Sequence, residues 1–124
     1  MMPHRILVVD DDADVRDMIC HTLTASGYEA IPATGGRQAV EHLEQSAPDL
    51  VITDMVMPDV DGLEVLLKLR LLSPGVRALV ISGGGRLDPE TYLDMARRLG
   101  ARSILRKPFT RAEMLNAVEL ALNP

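Results

Sequence analysis

Residues 49–62 read DLVITDMVMPDVDG. The run Leu50, Val51 and Ile52 is aliphatic and short, and turn formers bound it, which is the pattern of a buried strand. The strand delivers one carboxylate, Asp54, to its C-terminal edge. Pro58 and Gly62 then shape a loop before a helical pattern begins at Leu63. A carboxylate in this position can also be no more than a helix cap or a solvated loop residue, so its meaning depends on what the rest of the chain brings to the same edge.

Working outward from this stretch, the chain alternates between two periodicities. Ile6 to Val9 form a first apolar run that ends in Asp10, Asp11 and Asp12. A helix follows from about Ala13, with Val15, Met18, Ile19, Thr22 and Leu23 on one face. Asp12 is placed to cap it, Asp14 and Asp17 suit its positive end, and Gly27 closes it. Tyr28 to Ile31 make a weaker strand, and Gly36 to Ser46 a second helix with Ala39, Val40 and Leu43 inward. After the central strand, Leu63 to Leu72 are helical and stop at Ser73, Pro74 and Gly75. Ala78 to Ile81 form the fourth strand, followed by Ser82 and the glycines 83–85. Pro89 opens a fourth helix, with Tyr92, Met95, Ala96 and Leu99 on its apolar face and Gly100 at its end. Ser103 to Leu105 are the fifth strand, and Arg106, Lys107 and Pro108 follow. Thr110 and Glu113 form a capping box for a last helix with Leu115, Val118 and Leu122 inward. Five strand–helix units with continuously apolar strands predict an α/β fold: a parallel five-stranded sheet covered by helices on both faces, in three layers.

Composition narrows the possible functions. The 124 residues form one domain, residues 1–124, with 47% apolar and 25% charged side chains. No apolar run approaches the roughly 18 residues of a membrane span, and the N-terminus lacks a signal-peptide pattern. The lone Cys20 provides no disulfide framework, so the cytoplasm is the expected compartment. A net charge of −5 argues against direct nucleic-acid binding. Of the 13 basic residues only Lys68 and Lys107 are lysines.

Right-handed crossovers place all the strand C-termini on one edge, where open α/β sheets bind ligands. The first strand brings Asp10 and Asp11 there, the third Asp54, the fourth Ser82 and Gly83, and the fifth Lys107. Each has a blander reading: helix-cap acids, a turn serine, a flexible glycine loop, a solvated lysine. Their conjunction at four strand ends favours a site. Three carboxylates drawn together raise a pKa or recruit a cation, and hard oxygen ligands suit Mg²⁺. Metal, ammonium and hydroxyl around one carboxylate suit a phosphoryl group, with Asp54 as nucleophile and Gly83 leaving it room.

In order and spacing, ILVVDDD, VITDMVMPDVDG, VIS and KPF resemble the receiver domain of response regulators in two-component signalling. The resemblance spans essentially the whole chain and implies a flavodoxin-like sheet in the order 2-1-3-4-5. It implies that Asp54 accepts phosphate from a sensor histidine kinase or phosphotransfer protein. It gives Mg²⁺ to Asp10, Asp11, Asp54 and the backbone carbonyl of Val56, and makes Ser82 and Lys107 the residues that answer phosphorylation. Pro108 would follow a cis peptide. The receiver would control a downstream protein or output domain by changing conformation, itself catalysing only its own phosphorylation and dephosphorylation. No output domain is recognised within these residues, and a homodimer through helix 4, strand 5 and helix 5 is the family analogy.

Two departures from the family pattern stand out. Ile104 occupies a switch position that is usually aromatic, and glycines 83–85 carry no side chains. Val56 and Gly84 offer no polar group to attacking water, which implies slow self-dephosphorylation. Alternatives are a degenerate receiver that works without phosphate and, with less support, a phosphohydrolase passing through an aspartyl phosphate. Val56 stands where such an enzyme needs a second acid, and no insertion could form a substrate cap. A nucleotide-binding fold is weaker still, since no glycine-rich turn follows the first strand.

Overall fold

Ile6–Val9 and Leu50–Thr53 run side by side through the middle of a parallel sheet, where both faces are covered and only apolar or β-branched residues fit. The computed structural model describes residues 3–55, 57–83 and 89–123, with side chains in the last segment from residue 94 onward. The elements are β1 (Arg5–Val9), α1 (Ala13–Ala25), β2 (Glu29–Ala33), α2 (Gly36–Gln45), β3 (Leu50–Asp54), α3 (Gly62–Leu72), β4 (Arg77–Ser82), α4 (Pro89–Arg98), β5 (Ala101–Arg106) and α5 (Arg111–Leu122). The sheet order is β2-β1-β3-β4-β5, as the resemblance implied.

Two apolar layers sandwich the sheet. One joins Leu7, Val51 and Val80 to Leu43 of α2, Leu66 of α3 and Ala96 of α4. The other joins Ile6, Ile52 and Ile81 to Leu23 of α1 and Met114 and Val118 of α5. Alternate residues of each strand feed opposite layers, the period of two expected of a pleated strand.

Several caps are as expected. The Asp12 carboxylate accepts from the N–H groups of Asp14 and Val15, and Thr110 and Glu113 form a reciprocal capping box. Gly27 adopts φ 91° just beyond α1, a left-handed conformation that suits glycine.

The edges and helix faces need correction. The second strand is Glu29–Ala33, not Tyr28–Ile31: Pro32 is admitted because β2 lies at the sheet edge, where a missing N–H goes unfelt. The fifth strand extends to Ala101–Arg106 through an irregularity opposite Ala78 and Leu79. Met95 is 45% exposed, so Ala96 rather than Met95 anchors α4. Leu115 is only half-buried, and Met114 takes the inward place on α5. Val40 of α2 is likewise half-buried. Tyr92 lies outside the described side chains.

Gly62 shows how tightly the central loop is folded. A Cβ there would stand 2.4 Å from the Asp54 carbonyl oxygen and 2.8 Å from the Met55 Cα. Alanine favours helix over glycine by about 1 kcal/mol, but here backbone blocks it. Gly62→Ala is expected to destabilise the fold by about 1–3 kcal/mol. At Gly75 nothing lies within 4 Å, and alanine there should change stability by less than about 0.5 kcal/mol. Urea unfolding of both variants checks the contrast; equal effects would contradict it.

Candidate functional site

The strand register assembles the site before any side chain is considered. Val9 pairs with Thr53, so Asp10 and Asp54 leave neighbouring strands side by side. Asp54 pairs with Ile81, one residue short of Ser82, and Ser82 pairs with Arg106, one residue short of Lys107. The backbone then stitches this edge together: the Lys107 N–H donates to the Ser82 carbonyl at 2.8 Å, and the Met55 N–H to the Ile81 carbonyl at 3.1 Å. Lys107–Pro108 is a cis peptide bond.

Asp10 is fully buried and Asp54 nearly so. Lys107 reaches both: its Nζ lies 3.3 Å from Asp54 Oδ2, to which it donates a hydrogen bond, and 3.7 Å from Asp10 Oδ2. Ligand oxygens of Asp10, Asp11 and Asp54 lie within 4.8 Å of one another. Asp11, unlike the other two, is exposed. The geometry therefore brings together Asp10, Asp11, Asp54 and Lys107, with Ser82 at the adjoining strand end. Ile104 is set apart from them, half-buried against the core layer that holds Val80 and Ala96.

The charges are unevenly met. Asp10 Oδ1 accepts from the Asp12 N–H at 2.9 Å, but Asp10 Oδ2 is buried with no hydrogen-bond partner. Burial, helped by the neighbouring Asp54 and Asp11 charges, raises the Asp10 pKa above the ordinary carboxylate range, against the pull of the Asp12 N–H and Lys107. Burial also works against the Lys107 charge, yet Asp54 and Asp10 outweigh it and hold the ammonium pKa above its usual value. That lysine contribution to stability is in place at neutral pH and is lost only as pH rises through the elevated pKa.

A hard divalent cation fits these residues. Among the described residues three carboxylates gather beside one ammonium, and a buried carboxylate oxygen has no hydrogen-bond partner. An all-oxygen donor set suits Mg²⁺, which keeps several of its waters. Asp10, Asp11 and Asp54 are the described residues able to hold it.

Gly83 has a different neighbour from the one expected. A Cβ at Gly83 would stand 2.8 Å from Lys107 Cδ, so the missing side chain makes way for the lysine stem. Val56 and Gly84, with the metal carbonyl and the hydrolysis expectation they carry, lie outside the described residues.

Sequence reasoning missed three supporting groups. Arg16 Nη1 donates to the Asp10 carbonyl at 2.9 Å, the buried Thr53 hydroxyl to the Asp54 carbonyl at 3.0 Å, and Asp59 accepts from α2. The only signal for Arg16 was a basic residue in the acid-rich start of α1.

The comparisons with known proteins bear on this geometry. A family model described as response regulator receiver domain matches residues 6–119. The chain belongs to the response-regulator receiver family. It is 36% identical to the chemotaxis protein CheY of Bacillus subtilis, with 98% of this chain and 100% of that protein covered. It is 32% identical to sporulation initiation phosphotransferase F of the same organism, covering 96% and 94%. A crystal structure of a CheY-like receiver domain protein from Methanospirillum hungatei superposes with TM-score 0.88 at 27% identity, covering 98% of this chain and 94% of that one. Receivers of this family are phosphoacceptor signalling modules of two-component systems. Among the described residues, no helix is long and apolar enough to cross a membrane.

The raised Asp10 pKa has a testable sign. Between the ordinary carboxylate value of about 4 and the higher folded value, the folded state binds more protons, so ionised Asp10 is a cost at neutral pH. In chelator-treated buffer at pH 7, Asp10→Asn is expected to unfold at a higher temperature than wild type. The difference should shrink toward pH 4 as Asp10 protonates. Thermal unfolding across this range checks it; a less stable Asp10→Asn would show that the Lys107 pairing outweighs burial.

Proposed function

We propose that this chain works as a single receiver domain in which Asp54 takes a phosphoryl group from a sensor histidine kinase or phosphotransfer protein. The observation that carries the reading is Asp54 itself, at the exit of the central strand, with Lys107 on one side and the acids Asp10 and Asp11 on the other.

An Asp54 carboxylate oxygen attacks the phosphorus of the donor phosphohistidine. The new P–O bond forms as the P–N bond breaks, and the imidazole leaves with the electron pair and takes a proton from solvent. Asp10, Asp11, Asp54 and the Val56 carbonyl would hold Mg²⁺, which when bound offsets negative charge on the phosphoryl oxygens. Lys107 already hydrogen-bonds Asp54 and follows the charge onto a phosphoryl oxygen, weakening its tie to Asp10. Ser82, joined to Lys107 through the backbone, supplies a hydroxyl to a second phosphoryl oxygen.

The consequence is a change of state rather than turnover of a substrate. A ligand shifts a two-state equilibrium only by its differential contacts, and here those are Ser82 and Lys107, which sit on β4 and just past β5. Ile104 has no ring or hydroxyl to swing, so the signal to the face of α4, β5 and α5 runs through the Ser82 and Lys107 backbones. Chemotaxis protein CheY and sporulation phosphotransferase F are matched over nearly their full lengths and response regulator MprA over 48% of its length, and the output is a partner protein or an output domain. On this reading the chain is a signalling module acting in the cytoplasm.

Intact mass after incubation with Mg²⁺ and a small phosphodonor tests the assignment. Wild type is expected to gain one phosphoryl group, lost with chelator and in Asp54→Asn. Lys107→Ala should still be phosphorylated but fail to switch, seen as amide exchange in α4 and β5 that stays at the level of unphosphorylated wild type before and after labelling. A phosphorylated Asp54→Asn, or a folded wild type that takes up nothing, would overturn the reading.

A further inference from the structure

The acid-rich loop after Asp54 contains a second carboxylate with an unusual partner. Helix α2 begins at Gly35 and Gly36 and has no side-chain cap of its own. Its first N–H groups would go unpaired, as at any helix start. Asp59, 23 residues away in sequence from Gly36, fills that role: Oδ1 accepts from the Gly36 N–H at 3.2 Å and Oδ2 from the Arg37 N–H at 3.1 Å. Further N–H donation from Val60, the strongest influence, together with Arg37 and Gly36, holds the Asp59 carboxyl below the usual range. The carboxylate therefore meets the positive end of α2 in its charged form.

The fit is built on both sides. A Cβ at Gly35 would stand 2.9 Å from both Asp59 carboxylate oxygens, and one at Gly36 would stand 2.2 Å from the Val60 carbonyl. Asp61 meanwhile caps α3 through the Glu64 N–H at 3.0 Å. The Gly62 N–H closes the loop base onto the Met55 carbonyl at 2.9 Å. The loop is thus closed at its base and pinned near its far end to the first turn of α2, and its first residue is continuous with Asp54.

We infer that Asp59 is a positioning residue that ties the loop behind Asp54 to the N-terminus of α2 and so holds the acidic cluster in the arrangement that binds a divalent cation. Asp59 bonds to the first turn of α2 and acts through the backbone of the loop. The inference deepens the proposed function and rests on its reading of Asp54 and the acids beside it.

Two variants separate positioning from mere folding. Asp59→Ala removes the carboxylate. Gly35→Ala leaves it intact but takes its place, and the backbone at Gly35, with φ 179°, is extended and accepts alanine. Below their unfolding midpoints, both are expected to bind Mg²⁺ about tenfold more weakly, the usual scale for losing a supporting interaction. Both should also lower the maximal rate of phosphoryl addition at saturating donor. Asp59→Asn, which keeps one acceptor, should recover much of both. The Met55 and Gly62 amides should exchange faster in Asp59→Ala and Gly35→Ala than in wild type. Variants that melt earlier yet keep Mg²⁺ affinity and phosphorylation rate within twofold would overturn the inference. If wild type takes up no phosphoryl group, the proposed function fails, and Mg²⁺ affinity with Met55 and Gly62 exchange still decides the role of Asp59: unchanged values overturn it.

Discussion

A carboxylate oxygen buried without a hydrogen-bond partner, Asp10 Oδ2, is the constraint around which this edge of the protein is arranged. Burying a charge is costly unless it is paired, and beyond the Asp12 N–H on Oδ1 the Asp10 charge faces a shared lysine 3.7 Å away. The same ammonium lies nearer to Asp54, at 3.3 Å. Among the described residues, three carboxylates gather beside one ammonium, a surplus of negative charge that suits a divalent cation. This surplus also makes the site responsive: a phosphoryl group on Asp54 changes what Lys107 should face, and Lys107 sits on the chain directly after β5.

The fold supplies the precision that such a cluster needs. Asp10 and Asp54 are adjacent because Val9 pairs with Thr53, and a slip of one residue would turn one of them to the opposite face of the sheet. The continuous apolar layers on both faces make that slip expensive. Away from the sheet, backbone hydrogen bonds take over. Arg16 holds the Asp10 carbonyl, Thr53 the Asp54 carbonyl, and the Ser82 carbonyl receives the Lys107 N–H. Asp10 and Ser82 are thus set by their strands and by one contact from outside, and Asp54 by its strand and the neighbouring Thr53 hydroxyl.

Much of this could be read from residue order, for a physical reason. Buried parallel strands are apolar, so the end of each run marks the sheet edge: Asp10 and Ser82 follow at once, and Asp54 and Lys107 one residue later. The edge strand β2 was harder, because Pro32 reads as a breaker until its exposed edge is known. Helix faces blurred where methionines alternate with leucines: Met95 is exposed and Met114 buried, and hydrophobicity does not distinguish them. The stretch PDVDG reads as an acidic turn, and nothing local tells Asp59, which caps a distant helix, from Asp61, which caps the next one. Gly83 was legible as a needed glycine, but the lysine stem that crosses it was not, since Lys107 follows a strand distant in sequence.

The measurement that tests the account most directly is a calorimetric titration of the metal-free protein with Mg²⁺ at neutral pH, run beside Asp10→Asn. The account predicts one saturable site in wild type, with binding that raises the unfolding midpoint, and its loss in Asp10→Asn. A wild type that binds no Mg²⁺ at saturating concentrations, or an Asp10→Asn variant that binds it equally well, would contradict the claim that the buried acid is built for a cation.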